Sequence, residues 1–323
     1  MINHLFLFAS VSLCLFTHWQ QEDLEADIST VQATTRVVAA RVNSFEITTQ
    51  AAQRFLSRSL PNLGTRAEIP ELVDAALGSL IDRRIVYEYL VSLEQGPGMN
   101  EILLELENLK QKLTTIELSL DDYLSSEGIS QSELKFEFAW QIAWNRYLKT
   151  TLDDQYLQLY FQQHEREFDG SEMRVAHLLL KVSADQPLAS ALQAANEIRT
   201  QMRSNTLEWS AAVEKFSQAP TRGSGGELGW ISFDHPMPKS FAKAAFALQL
   251  NEISTPVTTP FGVHLIYCLE IKEGKKGWRD AMQEVRESAT AELFHQIAAQ
   301  HRSQVTVEFL PPFEKLQTRS TDP

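Results

Sequence analysis

The sequence predicts an α+β protein: a helical amino-terminal domain, a second domain of antiparallel sheet with flanking helices, and a long carboxy-terminal helix. Three observations carry this. Up to about residue 168 the apolar residues recur at helical spacing between polar stops. From Met173 the chain changes to short apolar runs alternating with shorter helices, in the order β-α-α-β-α-β-β. After a polar hinge, Gly274-Lys-Lys-Gly277, one long helical pattern is followed by a short β-branched run.

The elements follow in order. Arg36-Val-Val-Ala-Ala-Arg-Val-Asn43 is rich in β-branched residues and ends on Asn, so it reads as a strand entering a turn. Thr48 or Thr49 caps a helix to about Leu60, which Pro61-Asn-Leu-Gly64 ends. Ile69–Leu93 and Glu101–Leu113 are further helices, separated by Gly96-Pro-Gly98. Leu118–Glu127 ends on Gly128, and Ser130 with Glu133 has capping-box spacing for a helix to Thr151. Phe136, Trp140, Trp144, Tyr147 and Leu148 share one stripe of that helix, the signature of a packed core. Asp153–Glu167 reads as one more helix, with Tyr156, Leu159 and Tyr160 on its apolar face. The helical domain is therefore expected over residues 36–168.

The second domain is expected over 171–273. Val175–Val182, Leu228–Ser232, Val257–Thr259 and Val263–Ile271 read as strands, and Pro187–Ser204, Leu207–Phe216 and Pro238–Leu248 as helices. Residues 278–310 form the last helix, from Trp278 to Arg302, and a strand at Val305–Leu310. Pairing of that strand with Val37–Val42 would bring the carboxy-terminal helix onto the amino-terminal domain.

A chain of 323 residues accommodates two domains. A net charge of −13 argues against nucleic acid as the main partner, because phosphate binding needs a basic face. Residues 1–170 carry 13 Lys+Arg against 25 Asp+Glu, and residues 171–323 carry 16 against 17, which supports a boundary near Gly170. Helices with solvated acidic faces account for the excess. Cys14 and Cys268 are not expected to pair. Leu5–Phe16 has the length of a signal-peptide apolar core, although no Lys or Arg precedes it and no small-x-small cleavage site follows. Residues 1–20 are thus expected to be a signal peptide or amino-terminal anchor, and the protein to be exported to the periplasm or cell envelope.

Two histidines stand out. His177 and His264 each lie in an apolar strand, and neighbouring strands would let them hydrogen-bond and set one another's tautomer. A metal site from His177, His264 and Cys268 fits no common ligand spacing, so neither metal nor cofactor is expected. Between the histidines lies a glycine-dense loop, Arg222-Gly-Ser-Gly-Gly-Glu-Leu-Gly-Trp230.

Four motifs in fixed order carry a resemblance over about 100 residues: Ala176-His-Leu-Leu-Leu180; Phe216-Ser217 opening to Gly225-Gly-Glu-Leu-Gly229; Met237-x-x-x-Phe241 with Ala245-Phe-x-Leu248; and Phe261-Gly-Val-His-Leu-Ile266. Together they resemble the parvulin-type peptidyl-prolyl isomerases, and the flanking layout resembles exported foldases and chaperones of the SurA and PrsA type. The resemblance implies a four-stranded antiparallel sheet with flanking helices, a proline pocket at Leu228, Met237 and Phe241, and a polar cluster of His177, His264 and Thr259. Where the family usually carries Cys or Asp beside the substrate carbonyl, this chain has Ala219, which leaves the rate in question. Arg222 alone in its loop does not make a phosphate site. The implied activity is peptidyl-prolyl cis–trans isomerisation assisting the folding of exported proteins. The alternative is a weakly catalytic or non-catalytic chaperone. The implied partners are unfolded or extended polypeptides with Xaa-Pro bonds, with membrane contact only through residues 1–20.

Overall fold

The computed structural model describes residues 37–59 and 70–316; the expected signal segment lies outside them. By its internal contacts the chain divides into two units, one of residues 1–153 with 287–323 and one of residues 154–286. The division falls at Asp153, not at the expected boundary near Gly170.

In the first unit, β1 (Val38–Val42) turns through Asn43, at φ +53°, into β2 (Phe45–Thr48). Asn tolerates that left-handed conformation, which explains why the turn closes so tightly. No pattern in the sequence announces β2, because four residues are too few to show a period of two. The carboxy-terminal strand β7 (Val307–Phe309) lies on the other side of β1, antiparallel, with Ala40 opposite Phe309 and Val42 opposite Val307. The expected long-range pairing is thus present.

Thr48 accepts a hydrogen bond from the Ala51 N–H at 3.1 Å and caps α1 (Thr49–Ser59). Then come α2 (Pro70–Ser92), α3 (Met99–Thr114), α4 (Leu120–Glu127) and α5 (Gln131–Thr151). Gly128 ends α4 at φ +60°, and Ser130 and Glu133 form the expected capping box of α5. Ala39, Ala40, Leu56, Leu77, Ile81 and Ile85 form the core where α1 and α2 cover the small sheet. Trp140 and Trp144 stack at 5.5 Å, and each meets Phe294 of α11 (Met282–His301) edge-on. That helix starts later than Trp278 because Asp280 accepts from the Gly277 N–H at 3.1 Å while its own N–H bonds the Gly277 carbonyl, closing a turn first.

The second unit opens with α6 (Asp154–Gln163) and α7 (Glu165–Phe168), where one helix was expected. The break is at His164, whose backbone leaves helical geometry (φ −126°, ψ 27°) and whose ring bonds the Tyr160 carbonyl at 2.9 Å. Leu159, expected on the apolar face, is exposed, and Leu157 is buried in its place. The chain continues through β3 (Glu172–Leu180), α8 (Leu188–Arg203), α9 (Trp209–Phe216), a 3₁₀ turn (Pro220–Ser224), β4 (Glu227–Ser232), α10 (Lys239–Phe246), β5 (Val257–Thr259) and β6 (Gly262–Lys272).

The four strands form one antiparallel sheet in the order β4-β3-β6-β5. Alternate side chains point to opposite faces. On one face Leu178, Leu180, Val263 and Leu265 pack under α8 and α9. On the other Met173, Val175, Ile266 and Cys268 pack under α10 with Phe241 and Phe246. The two long central strands thus carry both cores, and the site lies on the α10 face.

Candidate functional site

His177 and His264 are diagonal neighbours on β3 and β6: His177 is opposite Ile266, and Leu179 is opposite His264. Their Nδ1 atoms are 3.1 Å apart and their rings stack with centroids 5.2 Å apart. Only 6 % and 2 % of these residues is exposed. Burial pushes both imidazoles down to about 4, and His264 is lowered further by its neighbour His177. Both are therefore neutral at neutral pH. A neutral imidazole has one N–H and one bare nitrogen. The shared Nδ1 contact uses the N–H of one ring and the bare nitrogen of the other, which leaves one Nε2 as donor and the other as acceptor.

Both outer nitrogens meet a hydroxyl, which satisfies either polarity. His264 Nε2 is 2.8 Å from Thr259 Oγ1, and His177 Nε2 is 3.1 Å from Thr221 Oγ1. Thr259 Oγ1 also accepts the Phe261 N–H at 3.1 Å. The result is a continuous chain, Thr221–His177–His264–Thr259, across the central strands. The structure brings the three expected polar residues together and adds Thr221. That residue stands two positions after Ala219, and its hydroxyl in an otherwise glycine-rich loop was the only signal for it.

Two motif glycines make this closeness possible. Gly226 accepts the His177 N–H at 2.8 Å, and its φ is +79°. A Cβ there would lie 2.2 Å from the His177 carbonyl oxygen. At Gly262 (φ +134°) a Cβ would lie 2.3 Å from the Leu180 carbonyl oxygen. Side chains at either position would push the glycine loop or the β5–β6 turn off β3.

The apolar side of the site is continuous with the polar chain. Phe241 is fully buried and meets both imidazoles edge-on, at centroid distances of 6.0 Å to His177 and 5.4 Å to His264. Leu228 and Met237, both partly buried, pack against the cluster that contains Phe241. Met237 lies before α10 and does not share a helical face with Phe241. Pro238 is the cap of α10, with extended ψ of 146°, and α10 begins at Lys239. The residue before a proline is disfavoured in helical geometry, so Met237 reaches the pocket from the approach to the helix.

Ala219 is buried and its backbone N–H points to Ser217 Oγ at 3.3 Å. The neighbouring Gln218 turns away and accepts the Lys181 N–H at 2.6 Å. Cys268 is buried and unpaired by disulfide, and burial pushes its thiol up, away from the reactive thiolate. Among the described residues no three His, Cys, Asp or Glu side chains are grouped to hold a metal ion.

Residues 177–270 match the family model for rotamases, described as the PPIC-type PPIase domain. The match falls on the sheet, the histidine pair and the apolar cluster around Phe241. Chaperone SurA of Bordetella parapertussis is 36 % identical over 103 residues, covering 32 % of this chain and 20 % of that protein. Foldase protein PrsA of Geobacillus sp. (strain WCH70) is 28 % identical over 222 residues, covering 68 % of this chain and 73 % of that protein. The crystal structure of PrsA from Bacillus anthracis aligns with 76 % of this chain and 94 % of its own, at 19 % identity and a TM-score of 0.32. The chain spans only about a fifth of the length of the first SurA relatives it matches. Residues 177–270 thus resemble a PPIC-type PPIase domain, in a chain that is similar in part to SurA chaperones and PrsA foldases.

Proposed function

We propose that the chain is a peptidyl-prolyl cis–trans isomerase that assists the folding of exported proteins. The observation that carries this reading is the contact of the buried Phe241 ring with both imidazoles, which joins an apolar cup to a polar chain in one site. A prolyl bond must cross a barrier of roughly 20 kcal/mol, and the uncatalysed reaction takes tens of seconds or more. No bond breaks. A protein lowers the barrier by gripping the ring, excluding water from the carbonyl and offering polar groups to the twisted amide. In this reading Leu228, Met237 and Phe241 seat the proline ring. His177, His264 and Thr259 shape the polar wall as neutral donors and acceptors, and none of them is a nucleophile.

The clients are unfolded or extended segments with Xaa-Pro bonds. Export, to the periplasm or cell envelope, is supported by the signal-like residues 1–20 and by the SurA and PrsA relatives. The helical first unit, with β7 paired into its sheet, is assigned to client binding as a chaperone-like domain, and the described residues include no helix long and apolar enough to cross a membrane.

One feature favours a second reading, a chaperone that binds proline-containing segments and turns them over slowly: Ala219 brings no polar side chain to the carbonyl side. A protease-coupled prolyl isomerisation assay on the full chain separates the two. The isomerase reading expects acceleration over the uncatalysed rate and a loss of roughly tenfold or more in kcat/KM for Met237→Ala, through lost apolar contact with the ring. No acceleration by the unaltered chain, together with suppression of client aggregation, leaves the chaperone.

A further inference from the structure

The loop that carries Thr221 is a 3₁₀ turn closed by its own bonds, Gly225 N–H to the Arg222 carbonyl at 3.2 Å and Ser224 Oγ to the Thr221 carbonyl at 2.9 Å, but its outer side is open to solvent. Arg222, Gly223 and Ser224 are exposed, and two successive glycines, Gly225 and Gly226, follow with φ of +70° and +79°. Glycine gives the backbone wide freedom, so a chain that needs Thr221 Oγ1 fixed on His177 Nε2 needs an anchor outside the loop. On the His177 side the anchor is the Gly226 carbonyl, which accepts the His177 N–H, while the Gly226 N–H bonds the Thr221 carbonyl at 2.9 Å. On the other side it is a side chain from α9. The Trp209 indole Nε1–H donates to the Gly225 carbonyl at 3.0 Å.

Trp209 belongs to the core on the opposite face of the sheet from the histidines, under α8 and α9, where its ring packs against Tyr267 with centroids 5.1 Å apart. It therefore joins the back layer of the domain to the glycine loop beside His177. The indole N–H is a donor only and does not titrate in the physiological range, so the contact has a fixed polarity. A phenylalanine at this position would keep most of the apolar contact and lose the donor.

We propose that Trp209 is a positioning residue, whose hydrogen bond to the Gly225 carbonyl holds the glycine loop so that the Thr221 hydroxyl stays on His177 Nε2 and orients the histidine pair. Its effect on rate rests on the isomerase reading; its effect on His177 does not. A single neutral hydrogen bond shifts the ordered population of a loop by about tenfold, which sets the size expected.

The test uses the full chain as unaltered protein, Trp209→Phe, Thr221→Val and the double variant. Histidine is labelled with nitrogen-15, and the His177 ring signals are identified by their loss in His177→Gln. In Trp209→Phe the His177 Nε2 resonance is expected to move toward its Thr221→Val position while the melting temperature stays put. In the coupled assay kcat/KM is expected to fall about tenfold in Trp209→Phe, and the double variant to be no slower than Thr221→Val alone, because both changes break one link. An unmoved His177 Nε2 signal in Trp209→Phe, or losses that multiply in the double variant, overturns the proposal. If the unaltered chain does not accelerate isomerisation, the isomerase reading fails and the His177 signal alone decides the role of Trp209. Should Trp209→Phe not fold, benzothienylalanine at position 209 keeps the shape of the indole without its N–H and gives the same comparison.

Discussion

Acidification from pH 7.5 to 5.0 should weaken the second unit through its histidine pair. Each ring is held down at about 4, against an ordinary value of 6.5, and the first cause in both is burial. The folded state therefore binds fewer protons than the unfolded state between these values, so stability falls as the pH drops. It is whole above about pH 6.5, declines through the window from 6.5 to 4, and is flat below. At 1.36 kcal/mol for each pH unit between the two values, one ring contributes up to about 3 kcal/mol across the window. Of this, about 2 kcal/mol is lost by pH 5. Two independent rings would double that loss to about 4 kcal/mol. The rings share one hydrogen bond through Nδ1, and protonating the one bare Nδ1 puts donors on both sides and breaks it, so the two losses come coupled. The partly buried Asp82 carboxyl of the first unit, raised by desolvation, works in the opposite direction and in the other unit. Two measurements check this. Imidazole NMR of the folded chain should show His177 and His264 still neutral at pH 5. Exchange of the β3 and β6 amides, corrected for the intrinsic rate, should show the opening free energy of the sheet lower by about 2–4 kcal/mol at pH 5.0 than at 7.5. A folded midpoint near 6.5 for either ring, or an unchanged opening free energy, refutes the reasoning.

Other outcomes follow from the same geometry. Gly226→Ala places a methyl group 2.2 Å from the His177 carbonyl at a positive φ, and should cost about 2 kcal/mol or more in urea unfolding while detaching the loop from β3. A shift below 0.5 kcal/mol would mean that the loop moves freely. Ala219→Asp puts a polar side chain at position 219 and, on the proposed isomerase reading, should raise kcat/KM by roughly tenfold or more. An unchanged rate would mean that Ala219 is not what limits turnover. Phe241→Ala empties the fully buried ring site and should cost about 3–5 kcal/mol of stability together with peptide binding; tight binding by that variant would place the proline elsewhere.

Local chemistry was enough to read most elements. The capping box at Ser130 and Glu133, the glycine stop at Gly128 and the β-branched run at Val38–Val42 each act within a few residues, so their effect is written in adjacent letters. The motifs also placed His177, His264, Thr259 and the three pocket residues in one neighbourhood. Local patterns fall short where a side chain competes with the backbone, as at His164, or where a strand is too short to show its period, as at Phe45–Thr48.

The sequence by itself determined which residue types are available: two imidazoles that stay buried in apolar strands, glycines where strands must touch, and an alanine at position 219. Only the tertiary structure decided how they connect. The diagonal register of β3 and β6 sets the Nδ1 contact, Phe241 bridges both rings from another element, and Thr221 and Trp209 join through a loop whose glycines say nothing of where it is anchored. These links join residues distant in the chain and depend on backbone positions fixed by packing, which no local pattern encodes.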